Sequence, residues 1–148
     1  MSLNLHIEQR ESEGIVILDL KGQLTLGPGD LELRERLVCL HQSGKVNIVL
    51  NLKHVSIIDS TGLGTLVFGL ARLRKAGGRL ALLNVNRSHL ELFLLTRLAI
   101  AFEFFDDEHD AVNGVFPDRT VKRFDILDFV QRQERRASDR LARSQAAC

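Results

Sequence analysis

The chain has 148 residues, of which 45% are hydrophobic and 26% charged, so it can form one domain with its own core. A formal net charge of +1 argues against strong attraction to nucleic acid, and no stretch reaches the roughly 18 apolar residues of a membrane span. Two cysteines, one of them the last residue, give neither a disulfide framework nor a metal-ligand spacing.

The beginning of the chain predicts a β-hairpin. Leu3, Leu5 and Ile7 alternate with polar neighbours, as in a half-buried strand. A turn signal at 12–14 separates them from a β-branched run at 15–20. The short gap between the two runs predicts that the strands pair directly.

A loop, a helix and a strand are expected next. Glycines and a proline place a loop at 22–29, and apolar spacing predicts a helix to about Gln42 with Asp30 as its candidate N-cap. The most strand-like segment of the chain follows at 46–52, and a short link at 53–56 ends it.

Strands and helices continue to alternate in the second half. A helix opens at Asp59 and closes near the glycine pair at 77–78. After it the pattern predicts a strand at 80–83, a helix at 87–98, a strand at 100–105 and a short acidic helix at 106–115. This alternation predicts an α/β fold with a mixed, mostly parallel sheet and helices packed on it.

A composition change near a Phe-Pro-Asp run divides the chain into a domain at 1–117 and a basic helical extension at 118–148. From Arg119 onward there are eight basic and four acidic residues. Phe124, Leu127 and Val130 are spaced for one helical face. An apolar face must be covered, either by its own domain or by a neighbouring subunit, and we expect a homodimer through this helix.

The functional prediction rests on the residues that open the second helix: Asp59, Ser60, Thr61, Gly62, Leu63 and Gly64. A serine at a strand-to-helix turn is exposed, and a helix N-terminus favours negative charge. Ser60 is therefore expected to be an exposed hydroxyl at a helix start that tolerates a phosphate. Spacing alone favours the simpler interpretation, in which the three polar residues only cap the helix, over a switching role.

The loop after the second strand is expected at the same edge of the sheet, where ligands of open α/β sheets bind. It adds four residues to the candidate partner-binding surface: Gln23, Leu24, Thr25 and Leu26. The two leucines either contact a partner beside Ser60 or fold inward, and the pattern does not decide between these. Leu63 and Val67 are expected to be core residues, and a place on the docking face is the alternative.

Enzyme chemistry is not indicated. The residues around Ser60 do not form Gly-x-Ser-x-Gly, and none of the five histidines has the spacing of a general base or a metal ligand. His54 is expected in a loop, and the acidic run at 106–110 is expected to start a helix. We therefore expect no catalytic residue, no metal and no cofactor.

The run Ile48–Leu52, followed by Val55–Gly64, closely resembles the STAS domain, and more narrowly the bacterial anti-sigma factor antagonists. The resemblance covers about residues 3–115. It implies a STAS-like fold and a partner-switching cycle. In such a cycle an anti-sigma factor serine kinase phosphorylates Ser60 and a serine phosphatase reverses this. The unphosphorylated form binds the kinase and so frees a sigma factor.

Two features depart from that family. The loop at 23–25 lacks the acidic pair that the family often carries there, and the chain runs about thirty residues further. Other hypotheses are a STAS subunit of a stressosome-like scaffold or lipid-transport complex, and a small-molecule or nucleotide sensor. The expected location is the cytoplasm, without direct contact to nucleic acid or membrane.

Overall fold

A computed structural model describes the backbone of residues 4–146 and the side chains of residues 4–141. Five strands are present in this part of the chain: β1 Leu5–Ser12, β2 Ile15–Leu24, β3 Asn47–Ile58, β4 Arg79–Leu83 and β5 Glu103–Phe105. Five helices accompany them: α1 Pro28–Gln42, α2 Ser60–Lys75, α3 Arg87–Leu95, α4 Glu108–Asn113 and α5 Ile126–Ala146. Leu3 lies outside the described residues.

The strands form a single sheet in the order β1-β2-β3-β4-β5. The first pair is antiparallel and the other three pairs are parallel, which confirms the mixed, mostly parallel sheet. Glu13 and Gly14 join β1 to β2 with positive φ angles of 51° and 80°. Positive φ at both central residues is the geometry of the tight turns that fit hairpin twist, and it confirms the predicted hairpin.

Both faces of the sheet are covered. On one face, α1, α2 and α3 pack their leucines against inward-facing residues such as Leu18, Leu50 and Leu82, which are fully buried. On the other face, Ala111 and Val112 of α4 close a smaller apolar cluster. This arrangement leaves the loops at the ends of the parallel strands as the free surface that carries the candidate site.

Two strands are longer than the sequence predicts. β2 continues to Leu24 instead of ending at residue 20, and β3 continues through 53–56 without a break. The added residues pair with each other: Lys21 with His54 and Leu24 with Ile58. The glycines and proline at 22–29 and the polar run at 53–56 predict loops, but Lys21, Lys53 and His54 extend into solvent from paired strands. His54 is therefore a strand residue, and its expected place in a loop is wrong.

Other element ends also shift. α3 ends at Leu95 rather than 98, because Arg97 has a φ of 59° and cannot continue a right-handed helix. The last strand contains three residues, and the acidic helix begins at Glu108 with Asp107 as its N-cap.

The segment after residue 117 packs against the preceding domain. The Phe124 N–H donates to the Phe104 carbonyl oxygen at 2.9 Å and so covers part of the edge strand β5. Ile126 is buried in the main core and Phe129 packs against it. α5 begins at Ile126, so Phe124 lies outside the helix and its predicted place on one helical face with Leu127 and Val130 is wrong. Ile126 and Phe129 face the domain, whereas Leu127 is 67% exposed, and its cover by a neighbouring subunit stays a prediction.

Candidate functional site

The ends of β2 and β3 bring the two predicted segments together. The Asp59 N–H donates to the Leu24 carbonyl oxygen at 3.2 Å, and the Leu26 N–H donates to Asp59 Oδ2 at 3.0 Å. Because β2 and β3 are parallel, their C-terminal ends lie at the same edge of the sheet. The predicted proximity of the loop to the polar run is confirmed.

Asp59 caps α2. Its Oδ1 accepts from the Gly62 N–H at 2.8 Å, and its backbone is extended, as is usual at an N-cap. The hydrogen bond from the Gly62 N–H, and after it the one from the Leu26 N–H, lower the pKa of the Asp59 carboxyl below its usual 3.8. The carboxylate is thus ionised at neutral pH, and it fixes the loop after β2 to the first turn of the helix.

Ser60 is the first residue of α2, and its side chain is exposed. The N–H groups of the first turn have no intrahelical acceptor, and the helix dipole makes this end favourable for negative charge. The hydroxyl thus lies where an enzyme can reach it, and the helix dipole offsets part of the repulsion between an added anion and the neighbouring Asp59 carboxylate. The next residue, Thr61, is only half-exposed.

The two glycines of the run have different surroundings. A methyl group on Gly62 would overlap the carbonyl oxygen of Leu24, so this glycine allows α2 to pack closely on the end of β2. A methyl group on Gly64 would meet no atom within 4 Å. Gly64 is exposed, and its bare backbone is open to a second molecule.

The leucines that were candidates for partner contact divide between core and surface. Leu24 is fully buried and Leu63 is 5% exposed, so both side chains belong to the core. Leu26 is 76% exposed beside Asp59. Gln23 and Thr25 are half-buried at the end of β2. Of the three leucines, Leu26 alone presents its side chain to solvent.

Asp30 does not cap α1, contrary to expectation. The N-cap position is Gly27, which makes no side-chain cap bond. Asp30 is instead buried, and its Oδ1 accepts from the Thr65 hydroxyl of α2 at 2.6 Å. Its position in the first turn gave the same signal as a cap, because the partner that buries it lies 35 residues away in the chain.

Two exposed apolar residues near this edge were not predicted. Leu31 on α1 is 56% exposed and Ile57 on β3 is 47% exposed. Both follow an ordinary apolar pattern, so only the folded structure distinguishes them from core residues.

Other chemistry has little support in the described residues. No group of three or more His, Cys, Asp or Glu side chains there is arranged to hold a metal ion. A crevice of about 830 Å³ lies between α5 and the domain, and charged side chains such as Arg87, Asp106 and Asp110 line much of it. Small-molecule sites are usually apolar cavities. Over residues 4–146, no helix has the length and apolarity to cross a membrane.

Comparison with known proteins gives a consistent result. Residues 6–111 match the family model of the STAS domain. The anti-sigma-B factor antagonist of Bacillus subtilis (strain 168) is 32% identical over 96 residues, which are 65% of this chain and 86% of that protein. The anti-sigma F factor antagonist of Paenibacillus polymyxa is 27% identical over 110 residues, covering 74% of this chain and 94% of that protein.

A solved structure supports the same fold. The Bacillus cell fate determinant SpoIIAA in its phosphorylated form superposes with a TM-score of 0.61 and 21% identity, over 74% of this chain and 99% of that one. The family model spans well over half of the chain, and the five-stranded mixed sheet agrees with it. The chain belongs to the STAS domain family.

Proposed function

We propose that this protein is an anti-sigma factor antagonist that switches partners through phosphorylation of Ser60. One observation carries the proposal: Ser60 is an exposed hydroxyl at the first position of α2, next to a cap that holds the site rigid. The curated relatives that carry the name anti-sigma factor antagonist support it, as does a structural neighbour known in a phosphorylated form.

The proposed reaction is a simple phosphoryl transfer. The Ser60 hydroxyl oxygen attacks the γ-phosphorus of ATP in an anti-sigma factor serine kinase, its proton passes to a base of the kinase, and ADP leaves. A serine phosphatase hydrolyses the phosphoester and restores the hydroxyl. This chain supplies the acceptor oxygen only, so it acts as a substrate and binding protein with no catalytic residue and no cofactor of its own.

The phosphate acts locally. It adds about −1.5 to −2 charges at neutral pH, and the N-terminus of α2 accommodates them without refolding. The same charge and bulk occupy the surface formed by Ser60, Gly64 and Leu26. We infer that the kinase docks on this surface when Ser60 is free, and that phosphorylation blocks the docking.

The helical extension is the proposed site of homodimer formation. Leu127 and Leu141 are 67% and 63% exposed, and they lie two heptads apart on α5. Both leucines lie along one side of α5, with Glu134 midway between them, and we infer that a second copy of the helix covers this stripe. The division of the chain at 117/118 remains a prediction as well, since Ile126 contributes to the core of the preceding domain.

The experiment is a binding measurement with the serine-kinase anti-sigma factors of the same genome, each purified and loaded with ADP. We expect one of these kinases to bind the wild type. The Kd of Ser60→Ala for that kinase should lie within about threefold of the wild-type Kd, and the Kd of Ser60→Asp should be at least about tenfold higher. Equal binding by all three proteins, or no binding by the wild type to any of these kinases, would contradict the proposal.

A further inference from the structure

The helix that begins at Ser60 carries an unbalanced positive charge. Between Ser60 and Lys75, α2 contains no Asp or Glu, and its last turn contains Arg72, Arg74 and Lys75. The end of β2 and the loop after it are uncharged from Gln23 to Leu26 and do not offset this charge. Apart from the cap residue Asp59, the exposed surface of this helix is neutral near Ser60 and basic further along.

Two arginines face one phenylalanine on this surface. The guanidinium carbon of Arg34, on α1, lies 4.9 Å from the centre of the Phe68 ring. The guanidinium carbon of Arg72, which lies one turn after Phe68 on α2, is 5.9 Å from the centre of the same ring. Arg34 also donates to the Thr65 hydroxyl at 3.0 Å, and this hydroxyl in turn donates to buried Asp30. The ring and the two cations are thereby held in place across the α1–α2 contact.

Neither guanidinium group forms a direct ion pair within 4.0 Å among the described residues, and Arg34 reaches the buried Asp30 carboxylate only through the Thr65 hydroxyl. Arg10, Arg36, Arg79, Arg87, Arg119, Arg123 and Arg132 all form ion pairs. Arg34 and Arg72 form none among the described residues, and Arg72 Nε is buried there without a hydrogen-bond partner. Guanidinium groups fixed on an aromatic ring lose little conformational entropy when they bind an anion.

These residues continue the surface around Ser60. Gly64 lies one turn after Ser60, and Phe68 lies one turn after Gly64, so the three follow the outward side of α2. Leu31, 56% exposed, lies one turn before Arg34 on α1. Together they form a surface with apolar residues near the serine and fixed positive charges beyond it, which is the composition of a specific protein interface.

We propose that Arg34, Phe68 and Arg72 form a second half of the docking surface, the cationic platform, which binds an acidic segment of the anti-sigma kinase. This inference rests on the proposed function and names the chemistry of the partner at that same site. Charge complementarity is its basis, since two unpaired guanidinium groups beside an exposed apolar strip are best matched by carboxylates.

The test is a binding titration against the kinase that phosphorylates the wild-type chain, at about 50 and about 200 mM NaCl. We expect Arg34→Glu/Arg72→Glu to raise Kd at least about tenfold at low salt, and Arg34→Lys/Arg72→Lys to raise it about threefold or less. The wild-type Kd should rise with salt, and that of the Glu variant should change much less. Arg135→Glu/Arg140→Glu on α5 makes the same charge change elsewhere and should leave Kd within about twofold of the wild type.

The outcomes separate this inference from the proposed function. If the wild type binds, Ser60→Asp does not, and the folded Arg34→Glu/Arg72→Glu variant binds as tightly as the wild type, the cationic platform is wrong and the switch stands. If circular dichroism shows that the Glu variant is unfolded, two other measurements decide: the Kd of Phe68→Leu and the change in the wild-type Kd with salt. A Phe68→Leu Kd equal to that of the wild type, together with a wild-type Kd that does not change with salt, would overturn the inference. If no kinase binds the wild type, both proposals fail together.

Discussion

At the scale of single residues, Asp59 links the two segments of the site. Its two carboxylate oxygens accept from different elements, Oδ1 from Gly62 in α2 and Oδ2 from Leu26 in the loop after β2. The position of Ser60 relative to Leu26 therefore depends on one ionised side chain. Rigidity of this kind favours recognition, because a pre-organised surface loses less conformational entropy on binding.

Asp59→Asn should lower stability at neutral pH. Asn has a single side-chain oxygen, so it can replace one of the two acceptors but not both. The folded state lowers the pKa of Asp59, so the stability that it contributes is present above pH 3.8 and is lost as the pH falls through the folded pKa. Urea unfolding should show a lower free energy of unfolding for the variant than for the wild type at pH 7, and this difference should become smaller as the pH is lowered.

The control for that prediction is Asp118→Asn, which neutralises an exposed carboxylate away from the loop–helix contact. A gap between wild type and Asp59→Asn that stays constant down to pH 3, or one that Asp118→Asn reproduces, would refute the role assigned to Asp59.

The two glycines of α2 provide a matched pair. Gly62→Ala should destabilise the protein by about 1–3 kcal/mol, because its methyl group overlaps the Leu24 carbonyl oxygen. Gly64→Ala should stabilise it by up to about 1 kcal/mol, because alanine is the better helix former and the space is open. Chemical denaturation of both variants measures this, and equal effects of the same sign would contradict the packing described for this turn.

At the scale of secondary-structure elements, α5 divides its apolar residues between two sides. Ile126 and Phe129 pack on the preceding domain, whereas Leu127 and Leu141 face solvent. Arg87 lies over the Phe124 ring at 4.1 Å and pairs with Asp106, which holds the start of the extension in place. The helix is therefore fixed on one side and available for association on the other.

Leu127→Glu/Leu141→Glu should convert a dimer to a monomer, because it places charges in the proposed stripe. Sedimentation velocity or light scattering should give about twice the chain mass for the wild type and about the chain mass for the variant. Leu95→Glu changes another leucine that is 77% exposed and should leave the mass unchanged. A wild type that is already monomeric, or a variant that remains dimeric, would refute this interface.

The elements differ in how well sequence alone predicts them. The position of α2 can be predicted because its cap, its apolar spacing and its closing glycines agree. The ends of β2 and β3 cannot be predicted in this way, because their polar residues pair strand to strand and register is not visible in one segment. The inward face of α5 cannot be predicted from its sequence, because Ile126 and Phe129 have the same helical spacing as Leu127 and Val130, and only packing on the domain decides between the two pairs.

The same reason limits prediction of the site. Asp59 and Ser60 are neighbours in the chain, so their arrangement follows from local rules of helix capping. Arg34 and Phe68 belong to different helices, and nothing in the sequence of either helix indicates that they meet. Contacts across elements depend on packing, which is decided by the whole core.

At the scale of the whole molecule, the architecture separates a stable body from a modifiable surface. The sheet is covered on both faces, and the candidate site lies at the ends of β2 and β3 where little packing depends on Ser60. Phosphorylation there should change what the protein binds rather than how it folds. The central claim is therefore that one hydroxyl at one position decides the partner.

The most direct test of that claim is phosphate mapping by mass spectrometry after incubation with the kinase and ATP. We expect one phosphate per wild-type chain, on Ser60, and none on Ser60→Ala, while Thr61→Ala is modified as the wild type is. Phosphate on Thr61 alone, phosphate retained by Ser60→Ala, or no phosphate on the wild type with any of the anti-sigma kinases of the genome would contradict the account.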